Sequence, residues 1–383
     1  MNKFNFPLFY HSHAPFCHSE RSEESDPIST GFFAALRMTK RALLFFMGLL
    51  IFSACEKNNP APPETESKFE TGTGVFIFNE GGFTHGNASV SFYDFDSKTV
   101  SEKIFETENN LPLGDVLQSI TRIGENLFLV LNNSGKIEVV NAETFASVAT
   151  IDGLTSPRYL AEINSEKAYV TDLASNHISI INTQTFEKIG QISLPGQTEE
   201  LVKIGIETFV TNRTTEFVYI INNQSNTIAD SIQVSHDPNT LRADKNGHFW
   251  VLCNGNQITD KPAGIFKIDP ISRQVLNEFL FEDFQIGIWP RLRINGTGDA
   301  IYFIKNSIYK MEISATELPN EPLINAESGS VFYGLGIDPN TEDIYVADAL
   351  DYQQKGIVFR FDSEGNALDS FRAGIIPNGF LFN

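Results

Sequence analysis

The chain has 383 residues, of which 41% are hydrophobic and 12% are aromatic, so it is able to bury a large core and is not a disordered protein. Its 28 Lys and Arg residues against 48 Asp and Glu residues give a formal net charge of −20, which repels phosphate backbones and anionic lipid head groups. This charge excludes nucleic acid as a partner and favours a neutral ligand that is held by amides and aromatic side chains.

The N-terminal segment predicts export and lipidation. A basic stretch that begins at Met38 precedes the apolar run 42–54, and Cys55 follows directly. The run is shorter than the ~20 residues that a membrane-spanning helix needs, which argues against a transmembrane segment. Residues 51–55 resemble a bacterial lipobox, so we expect a lipoprotein signal peptide, and a plain secretory signal is the alternative. We expect translation to begin at Met38 rather than Met1, which leaves 1–37 as a mis-annotated extension and 38–54 as the signal peptide.

The same reading assigns the remaining segments and the cysteines. Residues 55–73 are expected to be the lipidated Cys55 and a flexible tether, because this stretch is rich in Pro, Glu and Thr. The folded domain is then 74–383. Cys17 lies in the extension, so Cys253 has no partner for an intramolecular disulfide.

Short apolar strands that end in an Asn- or Asp-bearing turn recur about every forty residues, with a few longer intervals. The seven copies lie at 75–79, 127–133, 168–172, 208–212, 249–254, 301–306 and 344–348. Around the copy at 168–172, four short strands with tight turns fit into one repeat, which is typical of a propeller blade. The sequence therefore predicts an all-β fold, a seven-bladed β-propeller of four-stranded blades.

The two ends of the domain predict how the ring closes. The domain opens on a second-strand motif at 75–79, and its last segment, 376–382, matches first-strand segments such as 156–161. We expect the C-terminal strand to complete the N-terminal blade, which removes the free sheet edges.

Candidate binding residues lie in the loops that enter the first strands and in those that join second to third strands, which share one face of a propeller. For any single Asn or Asp, a turn-stabilising role is the alternative. The predicted ligand-binding residues are Asn79, Glu80, Asn132, Asn133, Arg158, Tyr159, Asp172, Asn176, Asn212, Arg213, Asn239, Asn254, Trp289, Arg291, Tyr333, Asp348 and Tyr352.

No motif of a nucleophile elbow, a zinc protease, a phosphate loop or a paired-cysteine metal site is present in the sequence. We expect a protein that is not an enzyme and has no cofactor or metal. Equivalent positions in different blades could form a Ca²⁺ cage as in propeller lactonases, but repetition of one turn chemistry explains the same pattern. Those positions are Glu80, Asn132, Asp172, Asn212 and Asp348.

The repeat at 168–182 resembles YncE-like propeller repeats of the Tyr-Val-Thr-Asn type. The segments 76–81, 132–140, 154–159, 295–299 and 333–349 resemble surface lipoproteins of Bacteroidota of the BtuG type. The resemblance implies an outer-membrane lipoprotein on the cell surface that captures a corrinoid such as cobalamin and hands it to a TonB-dependent outer-membrane transporter. Two alternatives are a scaffold that binds a protein or a surface glycan, and a Ca²⁺-dependent lactonase-like hydrolase.

Overall fold

The computed structural model describes residues 67–283 and 290–383. The predicted extension, signal peptide, lipidated Cys55 and most of the tether lie outside the described residues, as does Trp289. Within the described part of the chain, no helical segment combines the length and the hydrophobicity that a transmembrane helix requires.

The described residues form 27 strands and one short helix. In chain order the strands are β1 (Gly74–Asn79), β2 (Ser89–Asp94), β3 (Val100–Ser101), β4 (Leu117–Ile123), β5 (Asn126–Leu131), β6 (Lys136–Asn141), β7 (Ser147–Ile151), β8 (Pro157–Asn164), β9 (Lys167–Asp172), β10 (His177–Asn182), β11 (Glu187–Ser193), β12 (Thr198–Ile204), β13 (Glu207–Asn212), β14 (Phe217–Asn222), β15 (Thr227–Gln233), β16 (Pro238–Ala243), β17 (Phe249–Cys253), β18 (Gly264–Asp269), β19 (Gln274–Leu280), β20 (Leu292–Ile294), β21 (Ala300–Lys305), β22 (Ser307–Glu312), β23 (Phe332–Ile337), β24 (Ile344–Asp348), β25 (Lys355–Phe361), β26 (Ala367–Ile375) and β27 (Pro377–Phe382). The helix α1 spans Ile104–Asn109 and lies in the connection between β3 and β4.

These strands form seven antiparallel sheets, so the prediction of a seven-bladed β-propeller is confirmed. Blade 1 has the order β27-β1-β2-β3, and blades 2 to 5 are β4–β7, β8–β11, β12–β15 and β16–β19. Blade 6 is β20–β22 and blade 7 is β23–β26. Blade 6 shows a local variation, because its fourth strand is reduced to a single bridge between Ile308 and Ile324.

The C-terminal strand closes the ring. β27 pairs antiparallel with β1, with Phe380 opposite Ile77, and the predicted closure by the C-terminal strand is thereby confirmed. Beyond β27, the backbone N–H of Asn383 donates to the carbonyl of Gly74 over 2.9 Å. The innermost strands β27, β4, β8, β12, β16, β20 and β23, called inner strands below, each contact the next around the ring.

Hydrophobic clusters fill the space between neighbouring blades, one at each of the seven blade interfaces of the described chain. The packing of strand β5 on both of its faces explains why its sequence is continuously apolar. Leu127, Leu129 and Leu131 pack toward blade 1, whereas Phe128 and Val130 pack toward blade 3. Because successive side chains of a strand point to opposite faces, a blade that is covered on both faces needs apolar residues at every position.

Candidate functional site at the channel mouth

The inner strands begin, and the second strands end, at one face of the ring, which we call the channel mouth. Pro157 pairs with Asp172, and Thr198 pairs with Asn212, so these strand ends lie side by side. This arrangement brings the two predicted sets of loops to the same face.

Within the described chain, six of the seven inner strands carry an irregularity at the channel mouth. In each of them the pairing register skips one or two residues, as between Leu117 and Ser119 of β4. Such β-bulges re-aim side chains and often lie next to binding sites. The skipped residues are Gln118, Arg158, Tyr159, Glu199, Glu200, Asn239, Tyr333 and Asn378.

A buried ion pair joins blades 3 and 4 at this level. Arg158 Nε and Nη2 donate to the two carboxylate oxygens of Glu199 over 2.9 and 2.5 Å, and both side chains are almost fully buried. Gln118 accepts from Arg158 and donates to Tyr159 Oη over 3.0 Å. Burial opposes the charge of Arg158, but the Glu199 carboxylate outweighs burial and raises the pKa of Arg158.

Glu200 joins blades 4, 5 and 6. Its carboxylate accepts from the backbone N–H of Leu241 and from both terminal nitrogens of Arg242, and Arg293 Nη1 lies 3.6 Å away. Burial alone would raise the pKa of Glu200, but the two guanidinium groups outweigh it and lower that pKa. Glu200 is therefore an ionised anchor that two arginines share.

Glu80 joins blade 1 to blade 7. Asn378 donates to one of its oxygens over 2.7 Å, and Tyr333 Oη lies 3.2 and 3.3 Å from the two oxygens. Burial raises the pKa of Glu80, although Asn378 and the charge of Arg291 oppose the shift. The Arg291 guanidinium lies over the ring of Tyr333, 5.4 Å from its centroid.

We call these seven charged residues the channel cluster: Glu80, Arg158, Glu199, Glu200, Arg242, Arg291 and Arg293. Four guanidinium groups face three carboxylates, so the cluster carries a formal surplus of one positive charge. The sequence favours a neutral ligand because the whole chain has a formal net charge of −20. Within this cluster the formal charge has the opposite sign, which composition does not reveal.

Several predicted site residues stabilise turns with their side chains. The carboxylate of Asp172 accepts from the backbone N–H groups of Thr155, Ser156, Ala174 and Ser175. Similar bonds to neighbouring loops, strands or turns engage Asn79, Asn132, Asn212 and Asp348. Asp172, Asn212 and Asp348 therefore match the turn-stabilising alternative that the sequence leaves open, whereas Asn79 and Asn132 bond to neighbouring strands.

The remaining predicted residues lie around the rim. Arg213 forms a two-pronged ion pair with Asp237, which also accepts from Asn254. Asn133 donates to Asp115, and Asn176 accepts from the backbone N–H of Gly196. Tyr352 is 45% exposed and packs edge-on against Tyr333 with the ring centroids 5.9 Å apart.

Among the described residues, no group of three or more His, Cys, Asp or Glu side chains is arranged to hold a metal ion. The oxygens of Asp172 and Asp348, two positions of the possible Ca²⁺ cage, accept backbone hydrogen bonds instead. Cys253 is buried, and burial raises the pKa of its thiol well above the ordinary value.

The predicted set of ligand-binding residues does not include Gln118, Glu199, Glu200, Arg242, Arg293 and Asn378. One signal for Arg293 is present: Arg291 and Arg293 flank Leu292, and residues two apart on a strand share a face. Glu199 contacts Arg158 of blade 3 and Glu200 contacts Arg242 of blade 5, so these consecutive side chains reach the two opposite neighbouring blades, and no sequence motif marks the pair.

Comparison with known protein families gives a match over nearly the whole described chain. Residues 73–382 match the family described as Domain of unknown function (DUF5074). The chain belongs to the DUF5074 family. None of the curated proteins matches this DUF5074 chain.

Solved structures that resemble this DUF5074 chain are propellers of low sequence identity. A quinonprotein alcohol dehydrogenase-like protein from Bacteroides thetaiotaomicron VPI-5482 is 16% identical with a TM-score of 0.66, and the match covers 82% of this chain and 79% of that chain. A putative 6-phosphogluconolactonase from Bacteroides fragilis NCTC 9343 is 12% identical with a TM-score of 0.62 and coverages of 84% and 100%. A functionally unknown protein from Desulfotomaculum acetoxidans DSM 771 is 11% identical with a TM-score of 0.62 and coverages of 81% and 99%. These likenesses show the fold alone.

Proposed function

We propose that this DUF5074 chain is a non-enzymatic binding protein that captures a small molecule at the channel mouth. The observation that carries the proposal is the set of bulges, which present polar side chains from six inner strands at one opening. Buried ion pairs such as Arg158 with Glu199 hold these side chains in place. A site whose polar groups are already ordered loses less entropy when a ligand binds.

The first candidate ligand is a corrinoid. Its rim of amide side chains suits groups that both donate and accept, such as the exposed Asn133 and Asn176 at the rim of the channel mouth. Tyr333 and Tyr352 offer aromatic surface to the apolar face of such a ring. The sequence resemblance to lipoproteins of the BtuG type supports the same ligand.

We further propose that the protein is a surface lipoprotein, anchored through Cys55, that hands its ligand to a TonB-dependent outer-membrane transporter. Metabolic labelling with a palmitate analogue is expected to mark the wild type and not Cys55→Ala. Protease treatment of intact cells is expected to degrade the protein. Retention of the label by Cys55→Ala would refute the anchor, and survival in intact but not in lysed cells would refute the surface location.

The ligand test is isothermal titration of the full chain in detergent with cobalamin and cobinamide. We expect saturable binding, weakened about 5- to 30-fold by Tyr352→Ala, because exposed aromatic anchors at a binding surface contribute this much. The control is Ile271→Ala, which removes an exposed apolar side chain from the turn between β18 and β19, away from the channel mouth. Absence of saturation with both corrinoids would remove the corrinoid assignment, and equal effects of the two variants would place the site elsewhere.

A further inference from the structure

The arginines of the channel cluster are not equally neutralised. Arg158 donates two hydrogen bonds to the carboxylate of Glu199, and Arg242 and Arg293 both form ion pairs with Glu200. Within residues 67–283 and 290–383, the Arg291 guanidinium makes no hydrogen bond and no ion pair within 4 Å. Arg291 is nevertheless only 2% exposed.

Arg291 is surrounded by side chains that do not complete its hydrogen bonds. Its electrostatic neighbours are Tyr159, Tyr333, Glu80 and Glu200, which come from four other blades. Its Nε atom is buried and has no partner. A buried guanidinium with unfilled donors is costly, because water has been removed and no acceptor replaces it.

A second donor lacks a partner on the neighbouring inner strand. Asn239 is the bulged residue of β16, is 1% exposed, and its Nδ2 atom has no hydrogen-bond acceptor in the described chain. Inner strands β16 and β20 are in contact, and Arg291 directly precedes β20. Asn239 therefore lies on the inner strand next to the one that Arg291 precedes, and Arg291 is the arginine of the channel cluster that no carboxylate of the described chain neutralises within 4 Å.

We propose that the channel mouth contains an anion subsite, centred on Arg291 and supported by Asn239, that binds a phosphate or carboxylate group of the captured molecule. A guanidinium presents a planar fork of donors that matches both groups. This inference rests on the proposed capture of a small molecule at the same site and specifies which part of that molecule enters.

Cobalamin and cobinamide provide a matched pair of probes, because cobalamin carries a phosphodiester in its nucleotide loop and cobinamide lacks that loop. Inorganic phosphate and acetate test the subsite without any corrinoid. Each probe is titrated calorimetrically into the full chain in detergent, as wild type and as Arg291→Gln, Arg291→Lys and Asn239→Ala. The control is Arg122→Gln, which removes a guanidinium at the far end of β4, where Arg122 Nη1 donates to Asn383 over 2.7 Å. Thermal melting of each variant checks that it is folded.

We expect phosphate, acetate or both to bind the wild type, and Arg291→Gln to weaken that binding about 10- to 100-fold, as loss of charged hydrogen bonds does. Arg291→Lys keeps the charge but loses the planar fork of donors, so we expect its anion affinity to lie between those of the wild type and Arg291→Gln. We expect Asn239→Ala to weaken anion binding about 3- to 10-fold. Cobalamin is expected to exceed cobinamide in affinity, with the difference abolished in Arg291→Gln.

The outcomes separate the subsite from the proposed function. Corrinoid binding that is insensitive to Arg291, with cobalamin equal to cobinamide, would overturn the subsite and leave capture intact. Anion binding that depends on Arg291, without corrinoid binding, would support the subsite and remove the corrinoid as ligand. Equal losses in Arg291→Gln and Arg122→Gln, or no binding of either small anion to the wild type, would overturn the subsite.

Discussion

The buried ion pair of Arg158 and Glu199 allows a specific prediction about the free energy of unfolding. Glu199→Gln keeps the shape of the side chain and one acceptor oxygen, but it removes the charge and the second acceptor. Arg158 then remains buried and loses the carboxylate that neutralises it, and Gln118, which also accepts from Arg158, is neutral. Breaking one side of a buried ion pair costs about 3 to 5 kcal/mol, because the remaining charge is left uncompensated. We expect Glu199→Gln to lower the free energy of unfolding by about 3 kcal/mol.

Equilibrium unfolding in urea at neutral pH, followed by circular dichroism, measures this free energy. The double variant Arg158→Met with Glu199→Met removes both charges, and we expect it to be more stable than Glu199→Gln. The control is Glu102→Gln, which breaks the exposed pair with Lys355 and is expected to change stability by less than about 1 kcal/mol. A loss in Glu199→Gln no larger than that of the control, or a double variant less stable than the single one, would refute the reasoning.

The remaining predictions concern ring closure, pH and packing. Truncation after Ile376 removes β27 and exposes the edge of β1, so we expect a large drop in melting temperature and aggregation by size-exclusion chromatography; an unchanged melting curve would contradict closure. The pKa of Glu80 is raised above its ordinary 4.5, so the folded protein bears a penalty that is absent below about pH 4.5 and grows as the pH rises through the folded-state pKa. Glu80→Gln should therefore raise the melting temperature at neutral pH and not at about pH 4, and a pH-independent difference would argue against burial as the cause. An added Cβ at Gly296 would lie 2.0 Å from the carbonyl oxygen of Pro339, whereas one at Gly190 would lie 3.4 Å from Ile180. We expect Gly296→Ala to lower the free energy of unfolding in urea by about 1 to 3 kcal/mol and Gly190→Ala to leave it nearly unchanged. Equal stabilities of the two variants would show that blades 6 and 7 separate readily at this contact.

The blades could be predicted from sequence because their second strands are apolar at every position and end in the same turn chemistry. Strand β5, buried by a blade on each side, shows the physical reason. The closure of the ring was also predictable, because 376–382 matches a first strand that the N-terminal blade lacks. Periodicity and strand type depend on local composition, which a single sequence displays directly.

The site was predictable only in part, because repeated turn chemistry and ligand chemistry use the same residue types. Asp172 and Asn212 recur at equivalent positions, and the structure shows that their side chains satisfy the backbone of neighbouring loops. The residues that form the channel cluster depend on bulges, which are shifts of register between two strands. Glu199 and Glu200 are the two residues of β12 that the pairing with β13 skips. No local pattern in one strand determines that shift.

The bulges at the channel mouth also make the fold suitable for engineering. A bulged residue such as Gln118, Asn239 or Tyr333 has no cross-strand partner in the ladder, so exchanging it removes no pairing energy from the blade. The seven blade interfaces, which supply the hydrophobic stability, lie behind the mouth and do not include these positions. A library that varies these three residues, and leaves the buried pair of Arg158 and Glu199 unchanged, would therefore sample new recognition surfaces on a constant framework, with the selected specificities determined by a few side chains around one opening.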